Sequence, residues 1–166
     1  MSRRQWPVFV ADERTMLEAW LDWHRDTLAR KCAGVPAEQL RERAVPPSTL
    51  SLLGLVRHMA EVERAWFQRR IAGQDVGYLY CGEGDEDGDF DNVDTADVDE
   101  AFATWRRQCE AAREVMRGVE SLDRTFERED KTISVRWTLV HMIEEYARHA
   151  GHADLIRERL DGTKGI

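Results

Sequence analysis

Residues 141–156 read HMIEEYARHAGHADLI, and the spacing of their apolar and polar side chains decides the fold. An α-helix turns about 100° per residue, so residues four apart share a face. With His141 at zero, Met142, Ala153 and Leu160 fall near about 100–120°, and Tyr146 and Leu139 near about 140–160°. That is one apolar stripe of helical period. Glu145 at about 40° and His149 at about 80° lie on its inner edge. His141 and His152 sit farther out, and Glu144, near about 300°, points away. A helix with one apolar face must bury it against other elements.

A matching face lies upstream. Residues 51–67 read SLLGLVRHMAEVERAWF, where Leu52, Leu55, Met59, Val62 and Trp66 span about 40–120° from His58. His58 flanks this stripe as His149 flanks its own. By the same geometry Glu61 is expected toward solvent and Glu63 nearer the buried side.

Two further helices complete the pattern. One starts at Asp12, a side chain suited to capping and followed by acidic Glu13, and runs to about Cys32, before Gly34. A short helical turn over Pro36–Arg43 follows, and Pro46-Pro47 breaks the chain. Ser48 or Ser51 then caps the helix of His58, which ends near Gly73. The other runs from about Asp97 to Val119, and the last from the cap Ser134 to Leu160, with Gly162 as its stop. Residues 74–97, QDVGYLYCGEGDEDGDFDNVDTAD, have no helical period. Asp85, Asp87 and Asp89 hint at a calcium loop, but Phe90 and Ala96 stand where an EF-hand needs Gly and Glu. An acidic crossover is expected there instead. No strand alternation and no internal repeat is evident. The expectation is an all-α, single domain over residues 1–166. It is a four-helix bundle with one long acidic crossover between its second and third helices.

Composition narrows the function classes. The 166 residues suffice for one core, and 34% charged residues with a mean hydropathy of -0.59 imply long solvated helix faces. A net charge of -8 argues against a broad nucleic-acid surface, so Arg3-Arg4, Arg69-Arg70 and Arg106-Arg107 are read as solvated pairs. No apolar run approaches the roughly 18 residues of a membrane span, and the basic start lacks a signal-peptide core. A cytoplasmic protein without membrane or nucleic-acid partners is expected. Cys32, Cys81 and Cys109 are odd in number and show no CxxC spacing, which disfavours a disulfide framework or a thiolate zinc site. Cys32 and Cys109 fit as small core residues.

His58, Glu145 and His149 are the candidate metal ligands. Neutral imidazoles with a carboxylate suit Zn²⁺, with nickel or manganese as alternatives, and three protein ligands leave positions open for Lewis-acid chemistry. On spacing alone, a hydrogen-bonded core pair explains Glu145 and His149 equally well. His24, alone on its helix, is expected to be structural or exposed.

The stretches PPSTLSLLGLVRHMAEVERAWF and HMIEEYARHAGHADLIRERLDG, with GDF in the acidic segment between them, resemble the DinB-like superfamily. More closely, they resemble the branch related to mycothiol-dependent maleylpyruvate isomerase and to mycothiol or bacillithiol transferases. The likeness runs from about Asp12 to Gly162. It implies a four-helix bundle holding a divalent metal through one histidine of the second helix, matched by His58, and two ligands of the fourth. Many members place His-x3-His there, whereas the isomerase branch has Glu-x3-His, matched by Glu145 and His149. The implied chemistry is attack on a small electrophile by a low-molecular-weight thiol that binds as thiolate at the open metal position. His152 is the candidate catalytic residue, as an outer partner of the ligands or a proton shuttle, with a solvated histidine as the alternative.

The isomerase also carries a C-terminal domain that helps form its substrate site, and a chain ending at Ile166 leaves no room for one. Arg136, Arg148 and Arg157 are candidates for a substrate carboxylate, no more marked than ordinary surface arginines. Trp66 is a candidate wall of an aromatic pocket. The leading expectation is a metal-dependent thiol transferase with a small-molecule substrate. The alternatives are a metal-dependent hydrolase, and a non-enzymatic metal-binding stress or interaction protein that dimerises through exposed helix faces.

Overall fold

Asp12 accepts the Thr15 N–H at 3.0 Å, which starts α1 (Glu13–Cys32) where the sequence suggests. The computed structural model describes residues 5–165, so the Arg3-Arg4 pair lies outside it. After a short α2 (Ala37–Arg41), the Ser51 hydroxyl takes the Gly54 N–H at 3.1 Å and opens α3 (Leu52–Glu63). A brief α4 (Gly88–Asp91) precedes α5 (Val98–Arg117), which Asp97 caps. Then come β1 (Thr125–Arg128), β2 (Lys131–Ser134) and the long α6 (Val135–Asp161). Gly162 ends α6 in the left-handed conformation, φ 76°, that glycine adopts without strain.

The fold is mainly helical. Helix α1 packs chiefly on α6 and α3 chiefly on α5, while α6 also meets α3. Leu55, Met59, Leu139, Met142 and Tyr146 lie in the shared core, as the two stripes require, and Leu28 and Leu53 join them. Cys32 and Cys109 are buried there too. No helix among the described residues is long and apolar enough to cross a membrane.

Three features depart from the sequence-based expectation. First, the helix of His58 is not α-helical throughout: Arg64–Ile71 continues it as a π-helix, with Ala72 N–H donating to Phe67 C=O at 2.9 Å. Second, β1 and β2 pair antiparallel, from Thr125 opposite Ser134 to Arg128 opposite Lys131. Strands of four residues are too short to show alternation. Their turn uses Glu129 at φ 55° where Asn or Gly would give the usual signal.

Third, Glu61 is buried rather than solvated. The acidic crossover folds back over α3, and Glu61 accepts the N–H groups of Leu79 and Tyr80. Arg57 holds the same segment, donating to the carbonyls of Asp89 and Gly88 at 3.0 Å each, with its guanidinium 3.9 Å from the Tyr80 ring centroid. Gly88 is needed here because a Cβ would overlap the Tyr80 carbonyl oxygen. Asp89 turns into α3 while Asp85 accepts from Asn92 at 2.7 Å, so the three aspartates do not face one cation.

Candidate metal centre

Helices α3 and α6 bring His58, Glu145 and His149 together, with one donor atom of each within 4.8 Å of the others. The Glu145 Oε2 to His149 Nε2 distance is 3.5 Å. Two ligands of one tetrahedral zinc ion stand about 3.3–3.5 Å apart, given bonds of about 2.0–2.2 Å, so this pair and the mixed nitrogen and oxygen donors fit a divalent cation. The His58 and His149 rings meet edge to face at 4.8 Å, and Phe90 stacks on His58 at 4.6 Å.

Each histidine has a partner at its other nitrogen. His58 Nδ1 lies 2.8 Å from the Asp89 carboxylate, which leaves Nε2 for the cluster. Asp89 is itself fixed, since it is buried and also accepts its neighbour Phe90 N–H at 2.9 Å. A carboxylate on the far nitrogen of a ligating imidazole sets its tautomer and orientation and strengthens it as a donor. His149 Nδ1 faces His152 Nδ1 at 3.3 Å. Burial, then the nearby His58, His152 and Arg148, push the His149 pKa down to about 3, so this imidazole stays neutral as a metal ligand must.

Glu145 is shared. Its Oε1 lies 3.6 Å from His141 Nε2, so one carboxylate faces a histidine on either side. His141 is packed between Trp137 and Trp66, at 4.9 and 4.8 Å, which puts Trp66 beside the centre as an aromatic wall. Glu144 is half exposed and pairs with Arg148, as its outward angle requires. His24 sits away from the centre among Trp20 and Trp23.

The three arginines considered for a substrate carboxylate are already engaged. Arg136 binds Glu13 and Asp123, Arg148 binds Glu144, and Arg157 binds Asp161 together with the Lys31 and Ala33 carbonyls. A cavity of about 400 Å³ between α1 and α5 is lined by Arg14, Asp22, Arg25, Phe67 and Arg113 among others, and contains none of the three candidate ligands.

Sequence reasoning missed Asp89. Its only signal was the GDF triplet in a run of acidic residues, and nothing local distinguishes it from Asp85 or Asp87.

Fold and site together define a mainly helical protein that gathers two imidazoles and a carboxylate between two of its helices. More particularly, this chain belongs to the mycothiol-S-transferase family, whose model matches residues 16–162. That family is DinB-like and related to mycothiol-dependent enzymes. No curated protein and no solved structure matches the chain.

Proposed function

We propose that the protein is a divalent-metal-dependent thiol S-transferase, built as a four-helix bundle, that joins a mycothiol-like thiol to a small electrophile. The observation that carries this reading is the convergence of His58, Glu145 and His149 to within 4.8 Å, in a chain of the mycothiol-S-transferase family.

In this reading Nε2 of His58, Nε2 of His149 and the Glu145 carboxylate hold the ion, zinc by preference for this donor set. When bound, the ion lowers the pKa of a coordinated thiol so that it reacts as thiolate at neutral pH. Asp89 orients His58. His152 accepts the His149 Nδ1–H at its own Nδ1 and so fixes that ring as an outer partner of the ligand. A sulfur–carbon bond then forms at the electrophile, and the proton passes to the leaving group or to the adjacent carbon.

The test is elemental analysis with turnover. One divalent ion per chain is expected, together with thiol-dependent loss of a broad electrophile such as an aryl halide or an enone. Activity that persists without any thiol would favour a hydrolase. A metal-free protein with an intact fold would overturn the reading.

A further inference from the structure

The face of α6 just before Glu145 carries a group of side chains that the proposed reaction leaves unused. Trp137 and His141 stack at 4.9 Å, and Trp66 closes on them at 5.5 and 4.8 Å. Two guanidinium groups border this aromatic cluster. The Arg70 Cζ lies 4.1 Å from the Trp66 ring centroid, and that of Arg128, from strand β1, lies 5.4 Å from it.

Charge is out of balance here. Arg70 is partly buried and makes no hydrogen bond or ion pair among the described residues. Burial, then the like charges of Arg128 and Arg69, push its pKa down to about 10. Arg128 reaches only Glu129, at 3.8 Å, on a side chain 72% exposed. Arg136, Arg148 and Arg157, by contrast, each hold a carboxylate at hydrogen-bond distance. A partly buried cation loses hydration that a ring face restores only in part.

We propose that Arg70 and Arg128, with Trp66 and Trp137, form a subsite for a small planar organic acid. Its carboxylate sits on the two guanidinium groups, and its flat body lies on Trp137, which is 48% exposed. The guanidinium fork matches the two oxygens of a carboxylate, whose planar group can continue into a flat body on the indole. The subsite leads back through His141 to Glu145, a distance of 3.6 Å between their nearest atoms. The acid is therefore the electrophile, with its reactive carbon toward the candidate metal centre. This last step rests on the thiol-transfer reading; the acid site itself does not.

The experiment separates the two. Binding of 3-phenylpropionate and of its amide is measured by tryptophan fluorescence and by the Arg70 side-chain ¹⁵N resonance, without thiol. The acid is expected to bind at least about tenfold more tightly than the amide, the worth of a charge-assisted pair. Arg70→Gln and Arg128→Gln should each weaken the acid and leave the amide unchanged. Equal binding of acid and amide, no binding of either at millimolar concentration, or unaltered acid binding in both arginine variants would overturn the subsite. Acid binding that follows this pattern, in a protein that transfers no thiol to an unsaturated acid, would overturn the acid as the electrophile and leave the subsite standing; no transfer to the aryl halide or enone either would overturn the thiol-transfer reading.

Discussion

Glu63 lies five residues beyond His58 on α3, and Tyr146 directly follows Glu145 on α6, yet the two clusters these pairs create are built in opposite ways. Around Glu63 every polar group has a protein partner. Arg25 donates twice to the carboxylate at 2.7 Å, Tyr146 donates its hydroxyl at 2.7 Å, and Trp105 donates to Tyr146 at 2.9 Å. Burial acts to lower the Arg25 pKa, but the Glu63 charge overrides it and raises the value well above normal. Burial likewise pushes the Tyr146 hydroxyl and the Cys109 thiol up, so neither ionises. Around Glu145 the protein supplies acceptors and few donors. With His58 donating from Nδ1 to Asp89, and His149 in the tautomer that donates to His152, two imidazole lone pairs and a carboxylate face one another. A closed ion-pair network holds helices together; an assembly of lone pairs is what the proposed metal would complete.

The sharpest way to break the contrast is to remove one side chain from each cluster. Glu63→Ala leaves the Arg25 charge buried and unpaired, and should cost about 3–5 kcal/mol of folding stability in urea unfolding of the metal-free protein. His149→Ala should change that stability far less, yet lower metal affinity by more than about 100-fold, the most that losing an outer partner of a ligand costs. Equal stability losses in the two variants would erase the distinction.

A smaller effect is expected at Asp89. Asp89→Asn keeps an acceptor for His58 but removes the negative charge, so metal affinity should fall about 10–100-fold with the fold unchanged by circular dichroism. Unaltered affinity would reduce Asp89 to a purely structural contact.

The smallest effect is that of pH. In the metal-free protein His149 has a folded pKa of about 3 against about 6.5 when unfolded. The unfolded chain therefore takes up the proton first as pH falls. Stability should be level above about pH 6.5 and decline toward pH 3, by on the order of 1 kcal/mol between about pH 7 and pH 5.5. His149→Ala should flatten this slope, and an unchanged slope would place the titration elsewhere.

Much of the candidate site was legible in the residues themselves. Angle on a helix depends only on residue number, so the inward Glu145 and His149, the outward Glu144 and the flanking His58 all followed from counting. The caps Asp12 and Ser134 and the stop at Gly162 followed from side-chain chemistry one turn away, and Ser51 was one of two candidates for its helix. The same counting failed for Glu61, because a helix face is solvated only if no later segment crosses it. Beyond Glu63 the π-helix changes the residues per turn: Trp66 still lies inward, as counted, and Phe67 and Ile71 join it on the buried side.

What the sequence by itself determined is therefore local: four long helical stretches, their limits, and the face on which each candidate ligand stands. What only the tertiary structure decided is which distant groups those faces meet. Asp89 reaches His58 across 31 residues, Glu61 is covered by a returning loop, and Arg70 meets Arg128 through a hairpin with no sequence signature. The physical reason is the range of the interactions. Backbone hydrogen bonds and caps act within a turn or two of helix, whereas burial and charge are set by whichever part of the chain arrives from elsewhere.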